Sequence, residues 1–150
     1  MIAGRGVSWL PSYGPEMRGG TANCHVILSE REVDSPLVTK ISVLFAFNRP
    51  ALDRFLPDVV EGGLVFYDTS LIPEPPAMPG VESIGIPATT IAERVGSART
   101  ANLVALGAYL GRTKVLPPAA IETALRSHHL KQEIIAMNMR ALEEGMNYRG

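Results

Sequence analysis

The sequence predicts a three-layer α/β/α domain built on a mostly parallel sheet, and three observations carry that expectation. Short apolar runs punctuated by Gly, Pro, Asp and Ser occupy the first half of the chain, whereas apolar residues at helical spacing fill the second. Two of the runs, Val43-Leu44-Phe45-Ala46-Phe47 and Gly63-Leu64-Val65-Phe66-Tyr67, are apolar almost throughout. That is the pattern of central strands buried on both faces, so helices are expected on both sides of the sheet. A short helical segment separates these runs, and a strand, helix, strand unit makes two parallel neighbours through a right-handed connection. With 150 residues, 46% of them hydrophobic and 19% charged, the chain suits one domain spanning residues 1–150 around an ordinary core.

Taken in order, strands are expected over Val7 to Leu10, Ala22 to Leu28, Lys40 to Phe47, Leu64 to Tyr67 and Ser83 to Ile86. In the crossover after the third, Asn48 can cap a helix, Pro50 suits its first turn, and Leu52, Phe55 and Leu56 share one face. The stretch Ile72 to Gly80 holds four prolines in nine residues, too few N–H donors for a central strand, and reads as a stiff connection. Ala98 to Leu110 is apolar nearly all round. A buried helix is expected there, closed by a left-handed cap at Gly111, with Ala101, Ala105 and Ala108 permitting close packing. Pro117-Pro118 opens a further helix through about Arg126. In the last helix Leu130, Ile134, Met137 and Ala141 form one apolar row and Ile135, Met139 and Leu142 a second, with Gly145 expected to end it.

Composition removes several classes of function. Fourteen Lys plus Arg against fifteen Asp plus Glu give a formal charge of -1, so the basic footprint of a nucleic-acid binder is absent. The longest apolar stretch, Leu103 to Leu110, falls far short of the ~20 residues that span a bilayer. Met1 to Gly6 lacks the charged start and apolar middle of a secretory signal, which makes the cytoplasm the expected location. The single cysteine, Cys24, excludes an intrachain disulfide, a four-cysteine zinc site and an iron-sulfur cluster held by four thiolates of this chain. No metal site is expected.

The segment Pro11 to Asn23 is the densest candidate for chemistry. Three glycines and two prolines shape an irregular loop whose backbone can approach a ligand, and Arg18 supplies a planar cation suited to carboxylate or phosphate. A rigid strand connection with Arg18 paired to Glu16 or another acid is the alternative reading. No Walker-type glycine-lysine-serine sequence is present, so a nucleoside triphosphate site is unsupported. Cys24 and His25 are strand neighbours that point to opposite faces, Cys24 expected buried and His25 partly exposed. His128-His129 falls at a helix end, where two adjacent imidazoles diverge and no third metal ligand is evident. Asp68-Thr69-Ser70 follows a buried strand, as a turn or helix cap or as a contributor to a strand-end crevice. Arg99, Thr100 and Asn102 open an otherwise apolar helix and suit partner contact. Met137, Met139 and Met146 with Tyr148 read equally as core or as an adhesive surface.

The run Tyr13-Gly14-Pro15-Glu16-Met17-Arg18-Gly19-Gly20-Thr21-Ala22-Asn23-Cys24, with Val26-Ile27-Leu28-Ser29 and Ser35-Pro36, resembles the gamma subunit, or gamma domain, of the 2-oxoacid:ferredoxin oxidoreductases. The resemblance continues through Asn48-Arg49-Pro50-Ala51-Leu52, Glu61-Gly62-Gly63, Asp68-Thr69-Ser70, the segment Asn102 to Ala108, and Lys131, Asn138 and Gly145 of the last helix. It covers essentially the whole chain, and the Arg18-Gly19-Gly20 form looks more like 2-oxoglutarate-type members than the pyruvate form. The resemblance implies a non-autonomous subunit of an enzyme that converts a 2-oxoacid and coenzyme A to acyl-CoA and CO2 while reducing ferredoxin. Thiamine diphosphate, its Mg2+ and the iron-sulfur clusters would then belong to alpha, beta and, in some members, delta partner subunits. No cofactor would be held by this chain alone, and no catalytic residue is assigned to it. Tyr13, Gly14, Glu16, Arg18, Gly19, Gly20 and Thr21 would form the loop facing the coenzyme A approach or the thiamine-bearing subunit.

One departure from the family pattern carries an expectation of its own. Family members begin with a strand and a Gly-Gly-Gln-Gly turn into a helix, whereas Met1 to Gly6 leads almost directly into Val7. Without that first strand-helix unit, a sheet edge or helix groove is expected to stand uncovered. The alternative from a different class is a stand-alone α/β module that binds a nucleotide-like ligand and regulates a partner.

Overall fold

The computed structural model describes residues 6–12, 23–30 and 38–150. Two short strands, β1 (Gly6–Ser12) and β2 (Asn23–Ser29), pair antiparallel as a separate two-stranded ribbon. The main sheet is β3 (Ile41–Ala46), β4 (Val59–Asp68) and β5 (Glu82–Ile86), all parallel, in the order β3-β4-β5. Among the described strands β3 and β5 each pair on one side only, so β3 is an edge strand despite its nearly continuous apolar sequence. β4 starts five residues before the expected Leu64, at Val59, and the register slips between the Ile41 and Val43 pairings.

Helices flank the sheet on both faces, as the apolar strands require. On one side α1 (Arg49–Phe55) packs through Leu52 onto Leu44, Ala46, Val65 and Ile72. Its start is as the sequence predicts: the Asn48 side chain accepts the Ala51 N–H at 2.8 Å, with Pro50 in the first turn. On the other side α2 (Ala88–Val95), α3 (Ala101–Thr113) and α5 (Gln132–Asn147) cover Phe66 and Ile86 through Ile91, Ala92, Val104 and Ala141. Phe45 and Phe66 stack with centroids 5.3 Å apart, and Tyr109 meets both edge-on. Helix α4 (Pro118–Ser127) buries no residue fully and leans on α5.

Two expected helix ends are corrected. Gly111 lies inside α3, and the left-handed cap is Lys114, with φ of 56° and its N–H on the Leu110 carbonyl. Gly145 lies inside α5, which ends near Asn147. Both glycines serve packing: a Cβ on Gly111 would stand 2.7 Å from the Met146 carbonyl oxygen, and one on Gly145 would strike the Val104 carbonyl. Gly107 opposes the Leu142 carbonyl in the same way, so α3 and α5 cross backbone to backbone. The expected apolar row at the start of α5 is also revised. Leu130 precedes the helix and Ile134 is exposed, while Ile135, Ala141 and Leu142 carry the burial.

Candidate functional site

The carboxyl end of the sheet, where α/β folds commonly bind ligands, is filled by a hydrogen-bonded knot. Asp68, at the end of β4, is 1% exposed. One carboxylate oxygen accepts the Ser70 N–H at 3.0 Å; the other accepts the Thr89 N–H at 3.1 Å and the Thr89 hydroxyl at 2.5 Å. The Ser70 hydroxyl oxygen accepts the Thr90 N–H at 3.2 Å. These side chains satisfy first-turn N–H groups of α2, and the carboxylate sits where the helix dipole favours negative charge. Of the two readings of Asp68-Thr69-Ser70, the structure favours the cap.

The other groups singled out in the sequence are dispersed. Thr100 is buried and donates to the Ser97 carbonyl at 2.9 Å, while Arg99 and Asn102 are exposed. His128 and His129 are exposed at the end of α4, and no cluster of three His, Cys, Asp or Glu suited to a metal occurs among the described residues. Cys24 is exposed, contrary to the expected buried thiol, because the alternation of β2 turns it to the open face of the ribbon. His25, on the opposite face, is half-buried as expected. Met137, Met139, Met146 and Tyr148 are half-buried.

The loop residues Tyr13, Gly14, Glu16, Arg18, Gly19, Gly20 and Thr21 lie outside the described residues. The facing ends of β1 and β2 are described, and they border a cleft of about 370 Å³ lined by Leu10, Pro11, Asn23, His25, Val38, Arg54 and Phe55. The His25 ring meets the Phe55 ring edge-on at 6.1 Å, and the Arg54 guanidinium carbon lies 5.3 Å from the Phe55 centroid. An imidazole, a guanidinium and an aromatic face thus converge beside the ends of β1 and β2. This arrangement suits a polar or anionic ligand group lying against an apolar wall. Sequence reading missed Arg54 and Phe55 as site residues. They stand on a helix about thirty positions beyond His25, and no local spacing links them. A second cleft of about 480 Å³, between α2 and the end of α5, is bordered by an Arg94–Glu144 ion pair at 3.2 Å.

Comparison with known proteins places this geometry in context. The family model described as pyruvate ferredoxin/flavodoxin oxidoreductase matches residues 1–148. Ketoisovalerate oxidoreductase subunit VorA of Methanothermobacter thermautotrophicus is 42% identical over 149 residues, which is 97% of this chain and 30% of VorA. 2-Oxoglutarate synthase subunit KorC of Methanocaldococcus jannaschii is 36% identical over 117 residues, 76% of this chain and 62% of KorC. The chain therefore spans less than a third of VorA and under two thirds of this KorC. Among solved structures, the gamma subunit of a keto/oxoacid ferredoxin oxidoreductase from Geobacter sulfurreducens superposes with a TM-score of 0.78 at 30% identity, over 95% of this chain and 79% of that one. A 2-oxoglutarate:ferredoxin oxidoreductase from Magnetococcus marinus, solved with 2-oxoglutarate, coenzyme A and succinyl-CoA bound, gives a TM-score of 0.76 at 27% identity. That match covers 96% of this chain and 26% of that one.

Proposed function

Because the chain belongs to the pyruvate ferredoxin/flavodoxin oxidoreductase family, we propose that it is the gamma component of a thiamine-diphosphate-dependent 2-oxoacid:ferredoxin oxidoreductase. The observation that carries this reading is the likeness to a solved gamma subunit over 95% of the chain, together with the family match from residue 1 to 148. In this reading residues 1–150 form one gamma-type domain in a cytoplasmic complex with alpha, beta and, in some assemblies, delta chains. The complex converts a 2-oxoacid and coenzyme A to acyl-CoA and CO2, and the electrons released pass to ferredoxin.

The residues of this chain do not fit the redox cofactors. One cysteine cannot provide four cluster thiolates, and the sequence has no thiamine-type Gly-Asp-Gly followed by Asn-Asn. Thiamine diphosphate, Mg2+ and the clusters are therefore assigned to the partner chains. This chain contributes shape and charge: Tyr13, Gly14, Glu16, Arg18, Gly19, Gly20 and Thr21 face the coenzyme A approach or the thiamine-bearing chain. The cleft lined by His25, Arg54 and Phe55 also includes Pro11 and Asn23, which lie on the two strands either side of residues 13–22. Among the described residues no helix is long and apolar enough to cross a membrane.

The test is purification of the chain from its native source, followed by native mass spectrometry and assays with 2-oxoglutarate, 3-methyl-2-oxobutanoate and pyruvate. Co-purification with larger thiamine- and cluster-bearing chains, with coenzyme A-dependent turnover of at least one oxoacid by the complex, is expected. A free chain with a nucleotide-like ligand of its own would instead support the regulatory-module alternative.

A further inference from the structure

The cleft of about 480 Å³ between α2 and the end of α5 opens beside Pro87, the residue that follows β5, and so lies at the carboxyl end of the sheet. One side of it is apolar. Ile91, 4% exposed, lines it from α2, and Tyr148 lines it from beyond α5 with its side chain packed on the hydrophobic cluster that holds Phe66 and Ile86. The other side carries Arg94, Glu144, Asn147 and Arg149. The N–H groups of Thr89 and Thr90 in the first turn of α2 are taken by Asp68 and Ser70, so the charge of the cleft comes from its side chains. Arg94 meets Glu144 through a single contact of 3.2 Å between two largely exposed side chains, a pair that water and competing ions exchange readily. Arg149 donates only to the backbone carbonyls of Met146 and Tyr148, at 3.4 and 3.2 Å, and pairs with no carboxylate among the described residues.

We infer that this cleft is a binding site for a small amphiphilic monocarboxylate. Its carboxylate is held by Arg149 and by the N–H groups that Arg94 does not direct at Glu144, and its hydrocarbon body lies against Ile91 and Tyr148. The charge count selects a single negative charge. Two guanidiniums against one carboxylate leave an excess of one positive charge, which one carboxylate neutralises; a doubly charged phosphate would face Glu144 with a charge to spare. The planar fork of a guanidinium matches a carboxylate through two parallel bonds, and the bonds that Arg149 gives up to make them are long ones to exposed carbonyls. The apolar wall selects an acid with a hydrocarbon tail over acetate, at about 0.8 kcal/mol for each methylene it covers. All of these groups belong to this chain, so the site is independent of the assembly proposed above.

The test is titration of the 15N-labelled chain at low ionic strength with 4-methylpentanoate, acetate and inorganic phosphate, followed through the amide resonances of Ile91, Asn147 and Tyr148. Saturable shifts with 4-methylpentanoate at a Kd of about 1 mM are expected, with acetate and phosphate each at least tenfold weaker. Arg149→Ala should weaken 4-methylpentanoate at least tenfold, whereas Arg140→Ala, at an exposed arginine of α5 outside the cleft, should leave it unchanged. Glu144→Gln raises the excess charge by one, so it should tighten 4-methylpentanoate and bring phosphate to comparable affinity. Arg94, Glu144 and Arg149 are all exposed, so these variants do not disturb the core. Phosphate binding more tightly than 4-methylpentanoate to the unaltered chain, equal losses in Arg149→Ala and Arg140→Ala, or a Glu144→Gln chain with unchanged preference would each overturn the inference, and so would the absence of saturable shifts.

Discussion

Replacing Asp68 with alanine removes the acceptor of three hydrogen bonds at once, those from the Ser70 N–H, the Thr89 N–H and the Thr89 hydroxyl. Bonds to a charged acceptor contribute about 1.5–3 kcal/mol each when broken singly, and loss of a helix N-cap alone costs about 1 kcal/mol. Thr89 is half-buried and Ser70 exposed, so water reaches part of the site and repairs some of the loss. A net destabilisation of about 3 kcal/mol follows. For a chain of this size that lowers the midpoint of thermal unfolding by about 6–12 °C. Asp68→Asn keeps one acceptor oxygen but turns an amide N–H2 toward existing donors, and should lose about half as much. The comparison is Asp53→Ala, which breaks an exposed i,i+4 pair with Arg49 at 2.7 Å and should cost less than about 0.5 kcal/mol. Urea unfolding followed by far-UV circular dichroism measures all three. If Asp68→Ala and Asp53→Ala shift the midpoint equally, Asp68 is not the tie between β4 and α2 described above.

Three further outcomes are expected. Gly145→Ala forces a methyl into the Val104 carbonyl and should destabilise by about 3 kcal/mol from the clash, against about 1 kcal/mol gained from helix propensity; a stabilised variant in the same urea assay would show that α3 and α5 are not in backbone contact. Lys114→Gly relieves a left-handed residue at the end of α3 and should stabilise by about 1 kcal/mol, seen as a higher unfolding midpoint; no gain would contradict the cap geometry. Arg18→Ala in the assembled enzyme should raise the apparent KM for coenzyme A or impair assembly, and an intact complex with unchanged kinetics would remove both roles for the loop.

Local signals were legible in the sequence and long-range ones were not. Asn48 and Pro50 announce the start of α1 because a cap and its helix are neighbours in the chain. The parallel pairing of β3 and β4 follows from the length of the connection between them. Glycine is ambiguous: at Gly111 and Gly145 the same residue type serves a helix end or a close crossing, and only the opposing backbone decides which. Cys24 was misplaced because alternation along β2 fixes which residues share a face without saying which face is covered. Asp68 reads as a cap, but the helix it caps begins across the Pro-rich connection and β5. The grouping of His25 with Arg54 and Phe55 depends on how the ribbon meets α1, which no spacing encodes.

The seam between α3 and α5 also bears on how this component can respond to its surroundings. Where two helices meet through interlocking side chains, rotamer changes let them slide or step by a turn. Here carbonyl oxygens sit over glycine Cα atoms at Gly107 and Gly145, leaving no side chain at those points to rearrange. The pair therefore moves as a single plank with the sheet face it covers.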